Sequence, residues 1–305
     1  MTPRPNSPAA WFLAARPKTL AAALAPVVVA SALAWADGAF KAVPVVLCLV
    51  FAMLMQVAAN FINDLFDFLK GTDRADRLGP ERAVAQGWIA TRGMKRGIAV
   101  VLALAAADGL ALLYHIYIHT AGAHSTTVAY SLLALGAACV AGAFLYTTLL
   151  SYIALGDVLV LLFFGFVPVC GTYFAQCGTL TPAVWTCAAA MGLATDTLLV
   201  VNNYRDRDTD RLSGKRTLVS VLGESFGRWF YFALGTAATA LALLAGRMGH
   251  GGASLAVFYM YFHLTTWGLL SRLRQGRQLN AVLGLTARNI LIFGLLLAAG
   301  IALGL

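Results

Sequence analysis

Charge is what this chain lacks most. Only 11% of its 305 residues are Asp, Glu, Lys or Arg, against roughly 25% in an ordinary soluble domain. That shortage excludes a soluble globular fold and a disordered chain. Cysteine is also scarce: the five residues (Cys48, Cys139, Cys170, Cys177 and Cys187) sit in or beside apolar runs without paired spacing. They read as buried thiols, and no disulfide framework follows. Acids are rarer still, 13 against 22 basic residues, so each acid that is present calls for an explanation.

What fills the chain is apolar surface. Hydrophobic residues make up 60% of it, about 183 positions, and a helix needs about 20 such residues to cross a bilayer, so nine spans account for nearly all of them. The apolar runs fall at 20–36, 43–62, 97–118, 127–147, 152–174, 182–201, 229–246, 253–271 and 283–304. On alternate sides of these runs the basic residues divide unequally, 20 of the 22 on one side and only Lys41 and Arg247 on the other. Basic loops stay in the cytoplasm. The net charge of +9 therefore reports topology rather than a nucleic-acid partner. The expectation is an all-α membrane protein: one polytopic domain over residues 1–305, a bundle of about nine transmembrane helices in the cytoplasmic membrane, with its N-terminus in the cytoplasm.

Nine of the 13 acids fall in two segments on the cytoplasmic side, approximately 63–96 and 202–228. If the second run continues as a helix, Asn60, Asp64 and Asp67 share a face, as do Asn63 and Asp67. Asn202, Asp206 and Asp210 do the same on the sixth. Two solvated loops neutralised by Arg74, Arg77, Arg205, Arg207 and Arg211 would account for the charge. Three features point elsewhere: Asn accompanies Asp in both segments, the Asn-x-x-x-Asp spacing recurs, and four spans between the copies preserve their orientation. Oxygen ligands without His or Cys select Mg²⁺ or a similar hard ion. Magnesium prefers one or two carboxylates completed by substrate phosphates. Acids at a membrane rim with interleaved Lys and Arg thus point to a lipid diphosphate held through Mg²⁺.

The same residues carry a family resemblance. Asn63-Asp64-x-x-Asp67 and Asp206-x-x-x-Asp210 resemble the two aspartate-rich motifs of the UbiA-type intramembrane aromatic prenyltransferases. The likeness covers nearly the whole chain. The strings Arg16-Pro17-Lys18-Thr19-Leu20, Lys70-Gly71-Thr72-Asp73, Asp76-Arg77-Leu78-Gly79-Pro80 and Gly214-Lys215-Arg216-Thr217 are most similar to the branch acting on 1,4-dihydroxy-2-naphthoate in menaquinone synthesis. One departure is that the last acid of the general first motif would fall at Gly71, and the next acid is Asp73.

The resemblance implies transfer of a polyprenyl group from a polyprenyl diphosphate to 1,4-dihydroxy-2-naphthoate with loss of CO₂. It implies Mg²⁺ held by Asn63, Asp64, Asp67, Asn202, Asp206 and Asp210, of which Asp67, Asp206 and Asp210 drive catalysis. Lys70, Arg205 and Lys215 would bind diphosphate, with Asn60 and Asp73 supporting the ligands. Arg16, Lys18, Arg82 and Asp157 are the candidates for holding the acceptor, although Asp157 suits a helix N-cap better. Tyr146, Tyr152, Phe163, Phe164 and Phe166 could shield a carbocation. Acceptors such as 4-hydroxybenzoate or homogentisate remain open within the family, and a cation-coupled transporter outside it.

Overall fold

The first helical stretch is broken by a proline. A residue before proline is pushed out of the α region, and Arg16, with φ 51, separates α1 (Pro8–Ala15) from α2 (Pro17–Ala36). The computed structural model to which these elements belong describes residues 3–71, 78–119, 123–148 and 154–304, with the side chains of 18, 21, 123–125 and 146–148 excepted. After α2 come α3 (Ala42–Leu69), α4 (Thr91–His119) and α5 (Ala123–Thr148). Next is α6 (Gly156–Leu161), which runs through a π-helical turn (Leu162–Phe166) into α7 (Val167–Cys177). Pro168 has no N–H to offer residue 164, and the helix widens into the wider turn just before it.

The longest helix is α8 (Pro182–Leu212), started by Thr181, whose Oγ1 accepts the N–H of Val184. Then follow a short α9 (Leu218–Leu222), opened by a Thr217–Ser220 capping box, and α10 (Glu224–Arg247). A 3₁₀ segment (Gly251–Phe258) leads into α11 (Tyr259–Arg272), and α12 (Leu279–Leu303) ends the order. Among the described residues, seven helical units are long and apolar enough to cross a membrane: α3, α4, α5, α6 with α7, α8, α10 and α12.

Helix α8 is the hub. It packs on α10, α12 and the α6–α7 unit, and 67% of its apolar window is buried, against 22% for α3 and 17% for α4. The main core gathers Leu33, Met191, Ala238, Tyr259, Ile290 and Phe293. Apolar lipid gives helices no hydrophobic reason to associate, so close packing of small residues carries the contact. Gly165 and Gly192 meet backbone to backbone between the π turn and α8, and Gly252 and Gly300 do so between the 3₁₀ segment and α12.

Among the described residues the expected apolar runs fall largely on helical segments, but seven units rather than the expected nine are long and apolar enough to span, and some boundaries differ. Helix α3 continues past residue 62 to Leu69, and α8 continues past 201 to Leu212. The acidic motifs therefore ride on helix ends, and the described residues outside helices there are 70–71, 78–90 and 213–217. The run at 253–271 opens as 3₁₀ rather than α, where the Gly252 backbone lies against Gly300.

Candidate active site

The end of α3 is organised by three polar side chains one turn apart. Asn60, 3% exposed, donates through Nδ2 to the Ala15 carbonyl at 2.9 Å and to Thr19 Oγ1 at 3.1 Å. It thereby clamps the α1–α2 break, and with it Arg16, against α3. Asp64 is 1% exposed and lies about 100° around the helix from Asn63. Its two carboxylate oxygens accept the backbone N–H groups of Ala83 at 2.9 Å and Val84 at 3.1 Å. This folds the following loop back onto α3 and delivers Arg82, whose Nη2 donates to Asp67 Oδ2 at 2.8 Å. The pair is largely buried, at 8% and 22% side-chain exposure. Such charge-assisted contacts are the strong ones.

Helix α8 carries a matching arrangement. Asn202 Nδ2 donates to the Leu198 carbonyl at 3.2 Å. Arg205, 3% exposed, grips Asp206 with Nε at 2.7 Å and Nη2 at 2.6 Å. Its Nη1 donates to Asn280 Oδ1 at 2.9 Å, and Asn280 Nδ2 donates to the Leu78 carbonyl at 2.8 Å. One amide at the start of α12 thus ties the second motif to the loop of the first. One turn further, Asp210 Oδ1 lies 3.7 Å from Lys215 Nζ, while its buried Oδ2 has no hydrogen-bond partner among the described residues.

Between α2, α3, α4, α5, the α6–α7 unit and α8 lies a cavity of about 590 Å³. Its polar end is formed by Arg16, Thr19, Gln56, Asn60, Asn63 and Asn202. Its remaining walls are almost wholly apolar, with the rings of Phe51, Phe163 and Phe164 among them, and it reaches Cys48. Cys48 and Asn63 both lie on α3, so the cavity extends about 22 Å along that helix at 1.5 Å per residue. The Phe163 ring lies against Gly142 of α5, where a Cβ would collide with it. A long apolar slot with one polar mouth suits a chain-like apolar ligand with an anionic head.

The structure brings Arg16, Asn60, Asn63 and Asn202 to one wall system, with Asp67 and Asp206 one helical turn beyond the two asparagines. Arg82, expected to hold the acceptor, is paired with Asp67. Lys70 caps the exposed end of α3 and is not on the cavity wall. Lys215 and Asp157 line a separate small cavity of about 10 Å³ with Asn203 and Thr217. Asp157 is not a cap: Leu155 holds the N-cap position of α6, and Asp157 is 8% exposed with Oδ1 unpartnered among the described residues. Of the expected ring faces, Phe163 and Phe164 reach the cavity, while Phe166 packs on Trp185 at 5.8 Å. Asp73, Tyr152 and the side chains of Lys18 and Tyr146 lie outside the described residues. Sequence reasoning missed Gln56, Thr19 and Asn280. The first two stand at helical spacing from known motif positions, but nothing local marks Asn280.

Among the described residues, no three His, Cys, Asp or Glu side chains converge tightly enough to hold an ion by themselves. The amides of Asn63 and Asn202 line the mouth, and the carboxylates of Asp67, Asp206 and Asp210 follow further along the same two helices, Asp210 Oδ2 having no hydrogen-bond partner among the described residues; all are hard oxygens. That set fits Mg²⁺ completed by phosphate oxygens rather than an all-protein cage.

The family model described as the UbiA prenyltransferase family matches residues 23–284. The chain is 36% identical over 264 residues to the 1,4-dihydroxy-2-naphthoate octaprenyltransferase of Escherichia coli K12, covering 86% of this chain and 80% of that protein. It is 34% identical to the protein of the same description from Mycobacterium tuberculosis, over 97% of this chain and 98% of that one. In fold it is similar to a UbiA homologue from Archaeoglobus fulgidus solved with GPP and Mg²⁺, with a TM-score of 0.65 and 14% identity over 95% of this chain and 99% of that one.

Proposed function

Because the chain belongs to the UbiA prenyltransferase family, we propose that this multi-pass membrane prenyltransferase moves a polyprenyl group from its diphosphate to 1,4-dihydroxy-2-naphthoate with loss of CO₂. The product is demethylmenaquinone, in menaquinone synthesis. The observation that carries this reading is the pair of Asn-x-x-x-Asp faces, Asn63 with Asp67 and Asn202 with Asp206, at the polar mouth of a long apolar cavity. The relatives described as 1,4-dihydroxy-2-naphthoate octaprenyltransferases support the acceptor.

Asn63, Asp67, Asn202, Asp206 and Asp210 would hold Mg²⁺. Bound there, the ion offsets negative charge developing on the leaving diphosphate. Asp64 acts differently, since both its oxygens serve the backbone of residues 83 and 84; it positions the loop. Arg82 and Arg205 stand beside the motif carboxylates and provide guanidinium donors for diphosphate oxygens. Lys215 supports Asp210.

The allylic C–O bond breaks with its electron pair leaving on the diphosphate. Phe163 and Phe164 keep water from the carbocation and offer it ring faces. An electron pair of the acceptor ring forms the new C–C bond, and the pair of the C–CO₂⁻ bond restores aromaticity as CO₂ departs. Arg16, at the cavity mouth, is placed to bind the acceptor carboxylate. The motif rim faces the cytoplasm, in keeping with 20 of 22 basic residues on that side.

The test is purified protein in detergent with Mg²⁺, a polyprenyl diphosphate and 1,4-dihydroxy-2-naphthoate, with prenylated quinol and CO₂ as readouts. Asp67→Asn and Asp206→Asn should each remove at least 99% of activity, about 2.7 kcal/mol of barrier, while the protein stays folded. Full activity in both would sink the metal assignment. Preference for 4-hydroxybenzoate or homogentisate in an acceptor panel would overturn the acceptor.

A further inference from the structure

Away from the cavity, the rim formed by α8, α9, α10 and the end of α11 gathers charge that prenyl transfer does not use. Glu224, the first residue of α10, faces three arginines. Its Oε2 lies 3.5 Å from Arg207 Nη2, and its Oε1 lies 3.9 Å from Arg228 Nη1 and 3.7 Å from Arg274 Nε. Three guanidinium groups on one carboxylate leave two positive charges uncompensated.

All three distances are longer than the 2.7–2.9 Å of a good charge-assisted bond. Each guanidinium has five N–H donors, and one carboxylate cannot satisfy them. The cluster is also partly fixed in place. Arg207, 3% exposed, donates through Nη1 to the Tyr204 carbonyl at 2.7 Å and lies 4.7 Å over the Tyr204 ring. Arg228 Nη2 donates to Ser225 Oγ at 3.2 Å. Arg274 remains largely exposed, at 71%.

Directly beside these charges lies an aromatic face. Trp267 Nε1 donates to the Arg228 carbonyl at 3.0 Å, and the rings of Trp229, Trp267 and Phe232 meet edge-on or tilted with centroids 5.1 to 5.8 Å apart. Trp229 is 59% exposed, and Val221 and Leu222 of α9 are 59% and 54% exposed. Tryptophan at headgroup level and basic groups at the phosphate level mark a bilayer surface.

We propose that this rim is a binding site for an anionic phospholipid. Its phosphate sits among Arg207, Arg228 and Arg274, and its acyl chains lie along Trp229, Phe232 and Trp267. The surplus of positive charge selects against zwitterionic headgroups, whose cation it repels. The exposed aromatic face favours a lipid over a free anion, which would gain nothing from it. The site is independent of the acceptor, the donor and the metal proposed above.

The test uses the full-length protein in a neutral detergent, titrated with phosphatidylglycerol, phosphatidylcholine or inorganic phosphate. Retained lipid is counted by native mass spectrometry, and the thermal midpoint is followed in parallel. Phosphatidylglycerol should bind and raise the midpoint, phosphatidylcholine should do so at least tenfold more weakly, and inorganic phosphate should have no effect. Arg228→Gln with Arg274→Gln should weaken phosphatidylglycerol binding about thirtyfold, each arginine near anionic lipid being worth about a decade or less. Should the double variant fail to fold, Arg274→Gln alone, at an exposed position, is expected to cost about fivefold. Unchanged binding in the variants overturns the proposal, as does equal stabilisation by phosphatidylcholine or by inorganic phosphate.

Discussion

Replacing Asn280 by alanine removes a side chain that touches none of the motif carboxylates, yet two separate parts of the site depend on it. The amide accepts Arg205 Nη1 at 2.9 Å and donates to the Leu78 carbonyl at 2.8 Å. Arg205 is 3% exposed, and its Nε and Nη2 already serve Asp206, so the Nη1 N–H freed by the substitution is left buried without its partner. A hydrogen bond to a charged group is worth about 1.5–3 kcal/mol and a neutral one about 0.5–1.5 kcal/mol. Only the Leu78 bond is broken when the loop opens, and Asn280 is half-buried, so about 1 kcal/mol bears on the loop. At 1.4 kcal/mol per decade its loss increases opening of the loop around residues 78–84 about fivefold. Hydrogen exchange by mass spectrometry reads it directly, because the Ala83 and Val84 amides are held by Asp64 only while that loop is closed. The measurement needs neither substrate nor metal. Asn280→Asp separates the two bonds, keeping an acceptor for Arg205 while losing the donor to Leu78. It should release the loop as alanine does. The KM for polyprenyl diphosphate should rise about tenfold in Asn280→Ala with a smaller change in kcat, since Arg205 is then less well held. Exchange over residues 78–84 that matches wild type in both variants would refute the latch.

Two further outcomes follow from packing. Gly300→Ala forces a methyl into the Gly252 backbone and should lower the thermal midpoint by several degrees, overpacking costing about 1–3 kcal/mol; Gly268→Ala, which meets nothing within 4 Å, should be neutral or stabilising. A differential scan in which the two variants melt alike would contradict this account of the α12 contact. Cys48→Trp fills the cavity far from the mouth and should lower kcat/KM for long donors about tenfold relative to geranyl diphosphate. An unchanged ratio would show that the donor tail does not reach that end.

Much of the site is legible in the sequence because its signals are local. A carboxylate at the end of an apolar run is visible wherever it stands, and the i, i+4 spacing of Asn63 with Asp67 and of Asn202 with Asp206 places each pair on one face once the helix is granted. Helix α8 shows the limit of that reasoning. Its apolar run thins out at residue 201, yet the helix continues to Leu212 with Asn203, Tyr204, Arg205, Arg207 and Asp210 buried along it, a burial that no local pattern announces. Asp157 shows another limit. Its position after Gly156 reads as a cap, but the helix starts one residue earlier and the side chain turns into a small polar cavity beside Asn203 and Lys215.

By itself the sequence determined the membrane character, the helical segments and the end of the bundle where the acids gather. Those properties follow from solvation and periodicity, which each segment carries alone. Only the tertiary structure decided which oxygen does what. Asp64 and Asp67 are three residues apart and chemically identical, yet one holds the backbone of the next loop and the other meets Arg82. Asn280 acquires its place only because α12, α8 and the loop after α3 converge. Such assignments depend on contacts between segments far apart in the chain, and no local pattern encodes them.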